Sequence, residues 1–382
     1  MSTVALGDEG IRKPFVDGGT PRLASQERHH RNELERLLKT ILGRHRSLWS
    51  RAATPAERRE LLTQARPYQD ELKDLVFLSP EDQQRILRDY PAVADSLVAE
   101  GRAPVSEVRE PSDAELAEIF ADHYRAKVTG EPRTTPRVFL FGGQQGSGKT
   151  EMQKDALRVL GRGAVSYDGD DNAEFHPDYE DLMRADDVNV QPLLAELTSP
   201  LHDMVLDHVT AHRYDTVASH PLQRLEWARL WVDRFRDAGY HVSVVYLAVH
   251  ESTSLLATVD RFQTDWRERY GFGRWVEPES HDASYRLVPD TAHTLEAEGY
   301  VDSMRVISRD GRVLYENHLG PDGRMRDALG ARRAIETERN RRRTSQEIAD
   351  FAARLRRLRR TAPSWAQPVL VDAERRHRAV AA

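Results

Sequence analysis

The spacing of apolar positions changes character along the chain. In residues 25–103 it is helical: Leu34, Leu37, Leu38, Ile41 and Leu42 fall on one face, and no strand-like run interrupts them. Thr54-Pro55 and Ser79-Pro80 each read as an N-cap followed by a proline at the first helical position, where its missing N–H costs nothing. Pro91 is expected to open another short helical piece. Residues 25–103 therefore predict an all-helical region, and residues 1–24, punctuated by Gly and Pro, a flexible N-terminus.

After a linker from Gly101-Arg102-Ala103-Pro104 to Pro111, the pattern alternates. Ser112 and Glu115 form a capping box for a helix running to about Ala126. Short apolar runs predict strands at 137–142, 164–167, 215–219 and 242–248, with helices between them at 149–160, 200–212 and 222–238. Gly239 stands where the last of these should stop. Strands alternating with helices predict an α/β fold whose parallel sheet is covered on both faces. Asp310-Gly311, between Arg305-Val306-Ile307 and Arg312-Val313-Leu314-Tyr315, signals a hairpin at a sheet edge. Residues 325–382 read as a C-terminal extension. Arg332 to Arg360 is basic and helical, with Glu336, Glu338 and Glu347 interspersed as on a solvated helix, and 361–382 is expected to be partly disordered.

One loop in this pattern carries chemistry. Gly143-Gln144-Gln145-Gly146-Ser147-Gly148-Lys149-Thr150 fits the phosphate-loop motif G-x-x-x-x-G-K-S/T, between a predicted strand and a predicted helix. Glycines permit the dihedrals that aim successive N–H groups into one concavity. The helix N-terminus adds its unpaired donors and positive dipole end at the same place. Lys149 is expected to reach the terminal phosphates of ATP or GTP, and the Thr150 hydroxyl to ligate Mg²⁺. Only six of the 56 basic residues are lysine, and one falls where a compact point charge is required. The segment thus reads as the phosphate loop (P-loop) of a nucleotide-binding core; whether that core is a kinase depends on what faces the phosphates.

Composition narrows the partners. A length of 382 residues allows two or more domains, and the net charge of −6 gives no reason to expect nucleic acid as the main partner. There is no cysteine, which excludes disulfides and thiolate chemistry. No apolar run approaches membrane-spanning length, and Met1 to Arg12 lacks a secretory h-region, so a soluble, cytoplasmic protein is expected.

Phosphoryl transfer also needs an oriented nucleophile and cations around the moving group. Ser166-Tyr167 leads into Asp168-Gly169-Asp170-Asp171 at the carboxyl end of a predicted strand, the ligand side of a parallel sheet. A base for an acceptor hydroxyl belongs there. Arg261, on a helix, and Arg274, after Gly271-Phe272-Gly273, suit a mobile lid that clamps phosphate charge.

Together, Gly146-Ser147-Gly148-Lys149-Thr150, Tyr167-Asp168-Gly169-Asp170, His176-Pro177, Gly239-Tyr240, Ser254-x6-Arg261 and Arg274-x6-His281-Asp282 resemble the zeta-toxin family of bacterial kinases over roughly 112–320. The resemblance implies phosphorylation of the 3′-hydroxyl of UDP-N-acetylglucosamine by the toxin of a toxin–antitoxin pair. It also implies Asp170 as catalytic base, Arg261 and Arg274 on the transferred phosphate, and Asp203 as a substrate-binding residue. A small helical antitoxin would cover the nucleotide site, and residues 25–103 would either inhibit in cis or extend the scaffold. This chain departs from the family at Ser219-His220-Pro221, with Arg224 nearby, where the family has Glu-Gly-Thr followed by an arginine. That segment contacts the sugar nucleotide, so His220 and Arg224 are candidate substrate contacts and the acceptor stays open. An antibiotic, a nucleoside or a polynucleotide 5′ end are alternatives, as is a nucleotide-dependent interaction protein without turnover.

Overall fold

The computed structural model describes residues 25–97, 108–263 and 271–381. The expected flexible N-terminus, most of the expected linker and residues 264–270 of the expected lid lie outside them. The centre is a six-stranded sheet of β1 (Arg137–Gly142), β2 (Val165–Asp168), β3 (Thr216–Ser219), β4 (His241–Ala248), β5 (Ser303–Ser308) and β6 (Val313–His318), in the order β2-β3-β1-β4-β5-β6. The first five strands pair in parallel, and β6 returns antiparallel through the hairpin at Asp310-Gly311. Val138 to Gly142 are all buried, as expected of a parallel strand covered on both faces. β3 and β4 flank β1, so the chain passes over β1 between them. That crossing opens a crevice at the carboxyl end of β1, where α/β sheets hold ligands.

The N-terminal region folds as α1 (Ser25–Arg51), α2 (Pro55–Lys73) and α3 (Pro80–Ser96), with Thr54 and Ser79 as the expected caps. Pro91 does not open a new piece. It lies within α3, which continues across it because Tyr90 and Ala94 are buried in the same core. Leu34, Leu38, Ile41, Ile86 and Tyr90 give these helices a core of their own.

α1 docks onto the α/β core through Trp49, buried in the main apolar core, and through a row of ion pairs. Arg31 pairs with Glu151 at 2.7 Å and Glu35 with Lys154 at 2.6 Å, while Lys39 meets Asp171 at 2.9 Å and Glu174 at 3.2 Å. Breaking a buried pair leaves an uncompensated charge and typically costs about 3–5 kcal/mol. Asp171 keeps a second cation, Lys127 at 2.8 Å, which sets the effect near the lower bound. Lys39→Met should therefore lower stability by about 3 kcal/mol in urea denaturation. An unchanged midpoint would mean that water already screens the cluster. Burial pushes the Asp171 carboxyl up, but Lys127 and Lys39 outweigh it and hold it well below the carboxylate range. Its contribution is thus full above the ordinary Asp pKa of about 4 and is lost as pH falls.

Beyond the sheet, the expected single basic helix and partly disordered tail are corrected. The chain forms α12 (Ala331–Asn340), α13 (Ser345–Thr361) and α14 (Gln367–Ala381). The break comes at the Thr344–Glu347 capping box. Phe351, Leu355, Leu358, Leu370 and Ala373 form an apolar stripe beneath the arginines and pack on Leu255, Leu256 and Val259.

Candidate active site

β1 delivers the chain to the loop at 143–148, and α5 (Lys149–Leu160) starts immediately after it. Gly146 and Gly148 have φ of 72° and 102°, a region open to glycine at little cost. A Cβ on Gly146 would lie 2.2 Å from the Ser254 carbonyl oxygen, so the loop touches the backbone of α10 (Glu251–Asp260) directly. Lys149 folds back over its own loop, where Nζ donates to the carbonyls of Gly143 at 2.7 Å and Gln144 at 3.1 Å. Burial pushes its ammonium down to about 8. Asp170 and Asp168 oppose this, and Arg261 adds to it.

Opposite the loop, β2 ends in Asp168 and passes into a short 3-10 turn, Gly169–Phe175. Asp168 accepts from the Asp170 backbone N–H at 3.1 Å and from the Ser219 hydroxyl at 2.8 Å. Burial, with Asp170 and Asp171 nearby, pushes its carboxyl up to about 6. Asp170 differs. Partial desolvation by the crevice walls would raise it too, but Arg274, Arg261 and Lys149 together hold it below its ordinary value. Its carboxylate is 57% exposed to the crevice and lies 3.1 Å from the Arg274 guanidinium. The two neighbouring acids are thus tuned apart.

Lys149, Thr150, Asp170, His220, Arg261 and Arg274 all line one cavity of about 480 Å³. His220 accepts the Leu222 backbone N–H on Nδ1 at 3.3 Å, which leaves the proton on Nε2. Burial holds the ring neutral, with a pKa lowered to about 4. Asp203 and Arg224 are not brought into this cavity. Asp203 is exposed on α8 (Pro200–His212), and Arg224 is exposed at the N-cap of α9 (Leu225–Asp237). The expected mobile loop around Phe272 is anchored from Gly271 onward, because Phe272 is buried with Tyr179 and Leu182 and Gly273 N–H donates to Asp187 at 2.8 Å.

Sequence reasoning placed no site residue in the N-terminal helices, yet Asn32, Arg36, Lys39 and Lys73 line the same cavity as Lys149. No local motif marks them, since they arrive by docking of α1 and α2. Gln144 was also missed in its present role. Its side chain is fully buried and donates to the Val249 carbonyl at 2.8 Å and the Ser254 hydroxyl at 3.1 Å.

The arrangement can hold a polyphosphate at a helix N-terminus, surround its outer end with cations and present a carboxylate from the far side. Similarity to known proteins points the same way. The family model described as Zeta toxin matches residues 121–319, just over half of the chain. Toxin zeta of Enterococcus hirae is 22% identical over 62% of this chain and 81% of its own length. Toxin PezT of Streptococcus pneumoniae is 21% identical over 55% of this chain and 84% of its own. A solved chain from the PezAT chromosomal toxin-antitoxin system of Streptococcus pneumoniae shares the fold, with a TM-score of 0.56 and 18% identity over 66% of this chain and 98% of that one. On the strength of the family match, carried by this loop and this sheet, the chain belongs to the zeta toxin family.

Proposed function

We propose that this chain is a kinase that moves the terminal phosphoryl group of ATP or GTP to the sugar 3′-hydroxyl of UDP-N-acetylglucosamine or a similar UDP-sugar, acting as the toxin of a toxin–antitoxin pair. The observation that carries the reading is the Asp170 carboxylate, 3.1 Å from Arg274 in a cavity whose other wall is the phosphate loop. The donor's phosphates would lie in the loop, with Lys149 turned from its carbonyls onto them. Asp170 would take the proton of the acceptor hydroxyl as its oxygen bonds to phosphorus and the bond to the leaving diphosphate breaks. Arg261 and Arg274 would offset the charge that builds on the moving group. The neutral His220, as an Nε2–H donor, would orient the acceptor.

Mg²⁺ fits the residues present. It keeps most of its waters and asks for one or two protein oxygens, which the Thr150 hydroxyl beside the loop and the Asp168 carboxylate opposite it offer to one cavity. When bound, it neutralises charge on the donor phosphates.

Incubating the full chain with Mg²⁺, ATP and a panel of UDP-sugars tests the proposal by mass. A sugar nucleotide heavier by one phosphate supports it. Transfer only to a nucleoside, an antibiotic or a polynucleotide 5′ end would replace the acceptor. A Lys149-dependent phenotype without any transfer would favour an interaction protein.

Nucleotide binding has its own signature. The Lys149 ammonium, pushed down to about 8 by burial, must be charged to meet phosphate. ATP affinity should therefore fall as pH rises above 8, approaching about tenfold per unit as the charged form is depleted. Titrations at pH 7, 8 and 9 read this directly, and a flat profile would remove Lys149 from the charge contact.

We read the N-terminal helices as scaffold that walls the acceptor side of the cavity, with a separate small helical antitoxin as partner. The Lys39→Met variant also bears on this. Transfer that rises as the helices loosen would mark inhibition in cis instead.

A further inference from the structure

Arg339, on α12, lies outside the span matched by the family model and is 3% exposed. Among the described residues no carboxylate forms an ion pair with it, and its Nε finds no acceptor. Its guanidinium lies over the Tyr285 ring at 3.9 Å, and Nη1 donates to the Tyr285 carbonyl at 2.7 Å. Nη2 donates to a single side chain, the Oε1 of Gln144 in the phosphate loop, at 2.9 Å. A buried charge without a counter-ion is costly. Burial accordingly pushes this guanidinium down to about 10, with only weaker support from Tyr285, Glu336 and Glu251.

A second line reaches the same glutamine. Ser254, which accepts from Gln144 Nε2, lies 2.8 Å from His281 Nε2, and His281 Nδ1 lies 2.9 Å from Asp282. Asp282 in turn takes two bonds of 2.7 Å from Arg376 on α14. The row Ser254–His281–Asp282 has the order of a nucleophilic triad. Ser254 and His281 are both 0% exposed, however, and no substrate can reach the hydroxyl. The row ends on the phosphate loop and holds it.

Building on the kinase reading, we infer that Arg339 is a positioning residue of the phosphate loop, and that its buried positive charge is balanced by the phosphates of the bound nucleotide. Among the described residues that charge meets a ring and two neutral oxygens but no carboxylate. A triphosphate on the other side of Gln144 supplies a counter-charge, so the interaction strengthens when nucleotide binds.

Equilibrium binding of ATP with Mg²⁺ to the full chain tests this, together with steady-state kinetics. Arg339→Gln should raise the Kd of ATP about tenfold while kcat at saturating ATP stays within about twofold. Arg339→Lys, which restores the charge, should recover most of that loss. Gln144→Met removes the link from the other side and should raise Kd similarly, and the double variant should bind little worse than either single one. A folded Arg339→Gln protein that binds ATP like the wild type overturns the inference, even if it melts earlier. If that variant does not fold, an unchanged Kd in Gln144→Met overturns it equally. A wild-type chain that binds no ATP at all would instead sink the kinase reading on which this rests.

Discussion

Lys149→Ala should lower the rate of phosphoryl transfer by about 10²–10³, the loss typical of a preorganised charge contact to the transition state, while the protein stays folded. Among the described residues Lys149 Nζ bonds two carbonyls of its own loop, Gly143 and Gln144. The side chain is therefore held in waiting and supports little else. The loop keeps its shape through Gln144 and through its contact with the backbone of α10, neither of which involves the lysine. The variant should show a wild-type circular dichroism spectrum and a near-wild-type melting point. Turnover within a few-fold of wild type would show that Lys149 does not act on the phosphates.

Asp170→Asn should remove most of the chemistry and leave ATP affinity largely intact. The change keeps the shape of the side chain and deletes the carboxylate that accepts the hydroxyl proton, a step worth about 10²–10⁴ in rate. Asp168 is the competing base, and by pKa alone it is the better one, with its carboxyl pushed up to about 6. Position argues the other way. Asp168 is already engaged by Ser219 and by the Asp170 N–H, whereas Asp170 opens into the cavity against Arg274. In a loose transition state the hydroxyl proton leaves late, so a well-placed weak base serves. Single-turnover rates of Asp170→Asn and Asp168→Asn, measured side by side, decide between them. An active Asp170→Asn beside an inactive Asp168→Asn would transfer the role to Asp168.

The legible part of this fold is the part set by local chemistry. The alternation of apolar runs and helices gave β1, α5, α8 and the Asp310-Gly311 hairpin within a residue or so, because strand, turn and cap preferences act over a few neighbours. The phosphate loop was legible because its glycines and lysine answer to geometry inside eight residues. What was missed acts over distance. Lys39 finds Asp171 132 residues away, and Arg339 finds Gln144 195 residues away. In a chain this rich in arginine, nothing local separates a buried guanidinium from a solvated one. Gln144 occupies an unspecified position of the motif, so the motif is silent about the side chain that ties the loop down. The helix at 367–381 escaped because its apolar residues gather near its two ends, Val369-Leu370-Val371 and Ala379-Val380-Ala381, with a charged stretch between them that breaks the helical period. Its partners, α10 and α13, lie elsewhere in the sequence, and Leu370 and Ala373 find their core only in the folded chain.

The bond between Arg339 and Gln144 also sets an order of events during synthesis. The ribosome makes the phosphate loop first and its brace 195 residues later. At bacterial and eukaryotic elongation speeds that gap lasts roughly 10–40 s. For most of that interval β1, the loop and α5 have been made, yet the buried arginine behind Gln144 does not exist. A nascent chain stalled just past residue 319 would carry every residue matched by the family model and would still grip nucleotide poorly. If the chain acts as the toxin proposed above, interrupted translation would then yield fragments that are nearly complete in motif and weak in action.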